Sequence, residues 1–321
     1  MRRGLLGDFL NPHQRKICRG FFHFLLWQIG YYNDPYPAQP APEGFVYPNP
    51  IHDIDESAPT VTWVNHSTFW VAIGGKSFLF DPIWCDRCSP FDFIGPKRRH
   101  LPGVTLDALK NIDFVVISHN HYDHLDRAAI RQLYTLYPHI YWIVPKGVRK
   151  WFLRNIDNID RTRIYELDWW ERVEIRGVAF TSTPSQHFSG RGVLDRNRSL
   201  WMGCVIETKA KRFYFVGDTG YNEVDFKEVG EELGEMDLSI IPIGVYAPRR
   251  FMRAVHINPF ESVQIHKDVR SKLSVGGHFG TFRLSSEEMS RPPYDLFLAC
   301  QEAELPPHSF RVLQPGQRIN W

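Results

Sequence analysis

The sequence predicts an α/β protein in which sheets are covered by helices, rather than a simple doubly wound sheet. Strand-like runs come first, paired as a hairpin, and later alternate with helical patterns. The chain has 321 residues, 43% hydrophobic and 23% charged, an ordinary globular composition with enough apolar material for a sizeable core.

The elements follow in order. Residues 33–59 are rich in proline (Pro35, Pro37, Pro40, Pro42, Pro48, Pro50, Pro59), which favours an extended arm over a domain. The chain therefore divides into an N-terminal aromatic and proline-rich arm, 1–59, and a body, 60–321. Thr60 to Val64 alternates as a half-buried strand. Phe69 to Ile73 and Ser77 to Phe80, split by Gly74-Gly75, read as a hairpin. Asp113 to Ile117 is a further strand, and Asp126 caps a helix running to about Leu136. Strands are expected at Ile140 to Val144, Val178 to Ser182, Val205 to Thr208, Phe213 to Val216 and Leu238 to Ile241. Helices are expected at Asn222 to Leu233 and at Pro259 to Val269. In the second, Asn258 is the cap and Pro259 the first residue.

Net charge is +2, so the chain lacks the electrostatic footprint of a nucleic-acid binder. Five cysteines do not form a disulfide framework; Cys85 and Cys88 read as structural or incidental thiols in a reducing compartment. No run is long enough to span a bilayer. The apolar stretch Phe21 to Ile29 follows Arg15, Lys16 and Arg19 and precedes Tyr31-Tyr32. It reads either as a segment lying in a membrane interface or as a helix packed on the body. No convincing signal peptide is present. The expected location is cytoplasmic or peripheral to a membrane.

The chemistry concentrates in VVISHNHYDHLD, residues 115–126. An apolar run ends in His119, His121, Asp123 and His124. Buried imidazoles and carboxylates need partners, and a cation partners all four. Alternation along extended backbone lets His119 and His121 point the same way, as two imidazoles sharing an ion must. Asp123 and His124 follow as the chain turns and can face a second ion. His187, Asp218 and His278 each occur just past another apolar run. A carboxylate has two oxygens and an imidazole gives one nitrogen per ion, so Asp218 is the natural bridge. His187 and His278 then complete one site each. Gly217, Gly220, Gly276 and Gly277 let backbone turn sharply near the ions. The other histidines, including His13, His100, His139 and His266, read as surface or core residues.

HxHxDH, a later histidine, a GDTG aspartate and a final histidine resemble the metallo-β-lactamase superfamily. SHNHYDHLD, GPKR (Gly95 to Arg98), ELDWWE (Glu166 to Glu171), TPSQH (Thr183 to His187), GDTGY (Gly217 to Tyr221), IPIG (Ile241 to Gly244) and HFGTF (His278 to Phe282) are similar to the N-acylphosphatidylethanolamine-hydrolysing phospholipase D family. The resemblance covers nearly the whole chain from about Val46. It implies an αββα sandwich with the metal site at one sheet edge. It also implies two zinc ions, one on His119, His121 and His187, the other on Asp123, His124 and His278, with Asp218 bridging. A hydroxide between the ions would attack phosphorus, giving phosphatidic acid and a fatty-acid ethanolamide. Asp123, Asp218 and His256 would be the catalytic set. Two ions lower the pKa of bound water and neutralise phosphoryl charge. His256 would hydrogen-bond the phosphate or help protonate the leaving alkoxide; its other reading is that it only orients the following helix. The implied partners are a phospholipid at a membrane surface and a second copy in a homodimer. A lactonase acting on a small sugar-phosphate lactone is the alternative. It needs the same ions but no lipid-facing surface.

Around these residues, His66 reads as support for the site, and Asp81 as a hydrogen-bond partner of a ligand histidine. Tyr122, Gln186, Tyr221 and Tyr246 are candidate pocket residues. Trp169-Trp170 reads as core. Arg249, Arg250 and Arg253 read as either a headgroup contact or a solvated face.

Overall fold

Side chains along β3 (Lys76–Phe80) alternate between two different cores. Phe78 and Phe80 point into one and Leu79 into the other. The same division holds along β4 (Phe114–Val116), where Phe114 and Val116 oppose Val115. Along β5 (Tyr141–Pro145), Ile143 opposes Trp142 and Val144. A strand apolar on both faces is one buried on both faces, so the sheet has another sheet on one side and helices on the other.

The computed structural model describes residues 4, 8–14, 26, 29–32, 39–50, 53–192 and 194–321. Apart from Leu26 and Ile29, the apolar stretch from Phe21 lies outside the described residues. The first sheet begins with β1 (Thr60–Asn65) and β2 (Thr68–Ile73) and continues through β3, β4, β5 and β6 (Ile164–Leu167). β14 (Arg318–Asn320) joins it, giving the order β14-β1-β2-β3-β4-β5-β6. The second sheet holds β7 (Arg172–Ile175), β8 (Val178–Thr183), β9 (Gly203–Glu207), β10 (Arg212–Phe215), β11 (Leu238–Pro242), β12 (Ser274–Gly277) and β13 (Phe310–Arg311). Its order runs β13-β12-β11-β10-β9-β8-β7.

Between the sheets lies an aromatic layer. Phe78 stacks on Phe114 at 5.2 Å and meets Phe213 edge-on at 5.3 Å, while Phe80 and Phe215 are 4.8 Å apart. Such pairs add to the area they bury. Outside the first sheet, α1 (Arg127–Leu136) and α2 (Arg149–Asn155) close the second core with Ile130, Leu133 and Phe152. Outside the second sheet lie α3 (Asp225–Leu233), α5 (Pro259–Asp268) and α6 (Arg291–Glu302), and their Phe226, Val263 and Leu296 belong to the hydrophobic cluster that is continuous through that sheet. The short α4 (Arg249–Met252) precedes α5. The layers are those of an αββα sandwich.

The expected caps hold. Asp126 accepts from Ala128 N and Ala129 N at the start of α1. Asn258 and Glu261 form a capping box at α5, with Pro259 in its first turn. The helix expected from Asn222 begins at Asp225, because Asn222 Oδ1 accepts from Val224 N and Asp225 N in a preceding turn. β4 ends at Val116, so the ligand run stands on a loop. Pairing across the fold makes β13 and β14 strands, and neither has a periodic signal of its own. Cys85, Cys88, Cys204 and Cys300 are free thiols. Among the described residues no helix is long and apolar enough to cross a membrane.

Part of the N-terminal region lies on the body. Phe9 packs with Leu200 and Trp201, and His13 Nδ1 is 2.6 Å from Asp225 Oδ1. Tyr47 donates to Phe310 O at 2.8 Å, and the Asn49 side chain reaches Val312 O.

His266, buried on α5 with Nδ1 2.8 Å from Ser274 Oγ, gives a test of the packing. Burial, assisted by the charge of Lys267, lowers its pKa to about 4. The unfolded chain takes up a proton near the ordinary value of about 6.5, which the folded chain refuses. The stability from this burial is fully present above that value and is lost as pH falls toward 4. Melting curves across this range should show a flatter acid-side decline for His266→Gln than for the parent.

Candidate metal centre

One buried carboxylate at the end of β3 organises the ligand loop. Asp81 accepts from Ser118 N at 2.7 Å, Ser118 Oγ at 2.5 Å and His124 Nδ1 at 2.6 Å. Burial pushes the Asp81 carboxyl up. Three donors nevertheless converge on it, so it is the acceptor and His124 Nδ1 carries the proton. Ser118 Oγ also lies 2.8 Å from His119 Nδ1. With its hydroxyl proton on Asp81, the serine accepts from that ring. Both imidazoles are thereby turned so that Nε2 faces the site. His187 is set in the same way from the second sheet, its Nδ1 2.9 Å from Val255 O. Ligand histidines in metal sites are held by such hydrogen bonds at the other ring nitrogen.

The nitrogens converge in two groups. His119 Nε2 lies 2.8 Å from His121 Nδ1, which lies 3.3 Å from His187 Nε2. These three residues form one potential metal-holding set. A second joins Asp123, His124 and His278 with His66, and two more overlap these: Asp81 with His119 and His124, and His187 with Asp218 and His256. Asp123 Oδ2 is 3.0 Å from His66 Nε2, 3.3 Å from His124 Nε2 and 3.5 Å from His278 Nε2. Asp218 Oδ2 lies between the groups, 3.9 Å from His119, 3.7 Å from His187, 3.3 Å from His124 and 3.1 Å from His278. His256 Nδ1 is 4.0 Å from the same oxygen. The structure thus brings together all eight sequence-derived site residues: His119, His121, Asp123, His124, His187, Asp218, His256 and His278.

The donor set fits divalent cations. Asp218 Oδ1, His124 Nε2, His66 Nδ1 and both His278 ring nitrogens are buried without a hydrogen-bond partner. Orphaned polar atoms are costly, and a cation satisfies several at once. Burial, reinforced by neighbouring imidazoles, holds His119 well below its usual pKa; burial also lowers His121 to about 4 and His187 to about 3. They are therefore neutral lone-pair donors. Burial opposes charge on His278 too, but Asp218 and Asp123 outweigh it and hold its pKa up to about 9.

The backbone bends to build this arrangement. His66, Asp81 and His278 adopt φ values of 44°, 36° and 56°, a region that costs a non-glycine residue energy and that clusters at functional sites. At Gly217 (φ 67°) an added Cβ would stand 2.9 Å from Met202 O and from Ser118 Cβ, so Asp218 arrives on a strand end pressed against the ligand loop.

Some candidate residues serve elsewhere. Tyr246 is fully buried and donates to Asp295 Oδ2 at 2.6 Å, so it braces α6. Tyr221 donates to Asp268 at 2.9 Å, and Gln186 Nε2 to Ala254 O at 3.1 Å. Trp169 packs on Trp201 and donates to its carbonyl at 2.7 Å. Arg249 is paired with Glu261 at 2.8 Å. The sequence reading missed Asn11, whose side chain both donates to His187 O at 2.9 Å and accepts from His187 N at 3.1 Å. The partners are 176 residues apart and no local pattern marks the contact.

The beta-lactamase superfamily domain matches residues 76–279. A Caenorhabditis elegans protein named N-acyl-phosphatidylethanolamine-hydrolyzing phospholipase D 1 is 40% identical over 281 residues, covering 84% of this chain and 79% of the relative. An uncharacterized protein of Mycobacterium tuberculosis is 38% identical over 325 residues, covering 98% of this chain and 83% of the relative. In fold, the chain is similar to a metallo hydrolase from the archaeon Ignicoccus hospitalis, with TM-score 0.60 at 21% identity over 82% of this chain and 98% of the other. The chain belongs to the beta-lactamase superfamily and is a metal-dependent hydrolase.

Asp81 supplies a direct test of the site. Asp81→Asn puts an amide where the two histidine-orienting hydrogen bonds need an acceptor. Metal affinity, measured by chelator competition, should fall by about 10- to 100-fold while the circular dichroism of the fold is retained.

Proposed function

For a member of the beta-lactamase superfamily with this site, we propose phosphodiesterase activity of phospholipase D type. The substrate is N-acylphosphatidylethanolamine or a related glycerophospholipid. Water is added across the bond between phosphorus and the ethanolamine oxygen, and phosphatidic acid and an N-acylethanolamine leave. The observation that carries this reading is the Asp218 carboxylate, within 4.0 Å of imidazole nitrogens from both ligand groups and of His256. The phosphodiester and its N-acyl group come from the C. elegans relative, named for that substrate and 40% identical.

Two zinc ions suit the set, since imidazole and carboxylate are their usual donors. His119, His121 and His187 would hold one, Asp123, His124 and His278 the other, and Asp218 both. When bound, such ions lower the pKa of water and neutralise charge on phosphoryl oxygens.

The chain's own residues orient the rest. His256 is mostly buried beside the cluster, its ring 5.4 Å from His278 and 5.1 Å from His187. Its carbonyl accepts from Arg249 Nη1 at 2.9 Å, and Arg249 is anchored on Glu261. The ring is thus placed to donate an N–H to a phosphoryl oxygen or to the leaving alkoxide. His66 steadies Asp123, and Phe282 packs edge-on against His66 at 5.4 Å, shielding that side from water.

The test combines metal analysis with turnover in mixed micelles. The parent should bind about two zinc ions per chain, as the two ligand groups require, and release ethanolamide; a chelator should abolish release and zinc restore it. Asp218→Asn should lose both metal and turnover. His256→Gln should keep its metal and lose about 10²- to 10⁴-fold in kcat. Full metal with no ethanolamide from the parent would remove the lipid substrate, and turnover of a sugar-phosphate lactone would then favour the lactonase.

A further inference from the structure

One exposed turn carries three large apolar side chains in four residues. Phe91, Phe93 and Ile94 are 54%, 80% and 58% exposed, and the two phenyl rings lie 5.5 Å from each other. The turn caps a formed hairpin. Arg98 N donates to Asp86 O at 2.8 Å, Cys88 N to Pro96 O at 3.2 Å, and Arg87 bridges Lys97 between them. The Arg87 guanidinium donates to Gly95 O across the tip. A braced stem holding apolar side chains in water differs from a scattered surface leucine, which needs no explanation.

The hairpin is rooted in the wall of the metal centre. Cys88 packs with Ile83 and Phe282, and Tyr122 packs against that group. Phe282 meets His66, and Tyr122 lies in the chain between His121 and Asp123. Across a cleft of about 780 Å³ stands a second loop. Arg191 at its base lies 3.8 Å over the Tyr122 ring and donates to Asn120 O and Leu125 O. Leu194, further along, is 90% exposed. Both loops border the cleft, through Arg87 and Ser89 on one side and Arg191 on the other.

Charge accompanies the apolar tips. Lys97 on the stem, Arg99 just beyond it and Arg127 at the cleft are exposed, with no acidic partner among the described residues. Asp92, also exposed, sits between the two phenylalanines. A carboxylate at that point disfavours burial of the tip in hydrocarbon. Shallow apolar insertion flanked by cations is the physical signature of a peripheral contact with an anionic bilayer.

We propose that the hairpin 86–98, with Leu194 across the cleft, docks the protein on an anionic bilayer surface. The tips enter the headgroup layer, Lys97, Arg99 and Arg127 meet lipid phosphates, and the metal centre is held against the membrane. This deepens the phospholipid reading and rests on it for its purpose, but docking is measured without turnover.

The zinc-loaded protein is sedimented with vesicles of phosphatidylcholine alone and of phosphatidylcholine with phosphatidylglycerol. Replacing the tip by Phe91→Ser, Phe93→Ser and Ile94→Ser should weaken binding to both vesicle types at least about a thousandfold, since each withdrawn side chain contributes about tenfold or more. Lys97→Gln with Arg127→Gln should weaken binding to the anionic vesicles alone, by about fivefold per cation, and high salt should erase that difference. Parental melting curves for the variants, and parental turnover of a short-chain monomeric N-acylated phosphodiester, show the body intact. If the parent fails on that monomeric substrate, the substrate reading falls while docking is still judged by sedimentation. Parental vesicle binding by the tip variant overturns the proposal. So does a change in oligomeric mass with vesicle binding intact, which would assign the tip to a second copy of the chain.

Discussion

The site depends on the hydrogen bonds that converge on Asp81. This fully buried carboxylate takes two donors from Ser118 and one from His124, and through Ser118 it also sets His119. Its own backbone N donates to Val116 O, and its carbonyl accepts from Thr68 Oγ1. One residue therefore joins the ends of β2, β3 and β4 and fixes the tautomers of two histidines. In a low-dielectric interior such bonds are strong when complete and costly when broken. The positive φ of Asp81 is tolerated because the surrounding bonds over-determine it.

The remaining candidate ligands come from loops of the second sheet, so the site exists only where the two sheets meet. His187, Asp218 and His278 follow β8, β10 and β12. The aromatic layer between the sheets sets their distance from the first-sheet loop. Gly217 sets how closely the strand that delivers Asp218 approaches Ser118. The N-terminal segment adds a third party: Asn11 holds the main chain of His187, and Phe9 anchors that segment on Leu200 and Trp201. The packing that stabilises the fold is thus the same packing that positions the donors.

The surface around the centre shows a complementary division. The hairpin that ends in Phe91, Phe93 and Ile94 buries its root against the wall of the centre and exposes its tip. Its root obeys core physics, with Arg98 buried and donating to Cys85 O at 2.9 Å. Its tip does not, which separates a structural element from one shaped for contact.

Most of the framework, and the coarse chemistry of a metal-dependent hydrolase, can be read along the chain. HxHxDH between an apolar run and a helix cap is a local pattern, and local patterns survive in one dimension: the Asp126 and Asn258 caps, the β2–β3 hairpin and the strand ends carrying His187 and Asp218 were all legible. The family resemblance supplied an expected grouping of ligands with Asp218 between them, and the folded chain places Asp218 Oδ2 within 4.0 Å of histidines from both groups. Tertiary structure decided what depends on contacts between distant segments. It added His66 to the Asp123 cluster, tied Asn11 to His187 and turned Tyr246 away to Asp295. It also made strands of β13 and β14, through pairing across the fold. None of these has a periodicity or a cap to mark it, because each depends on a partner that only the folded chain brings near.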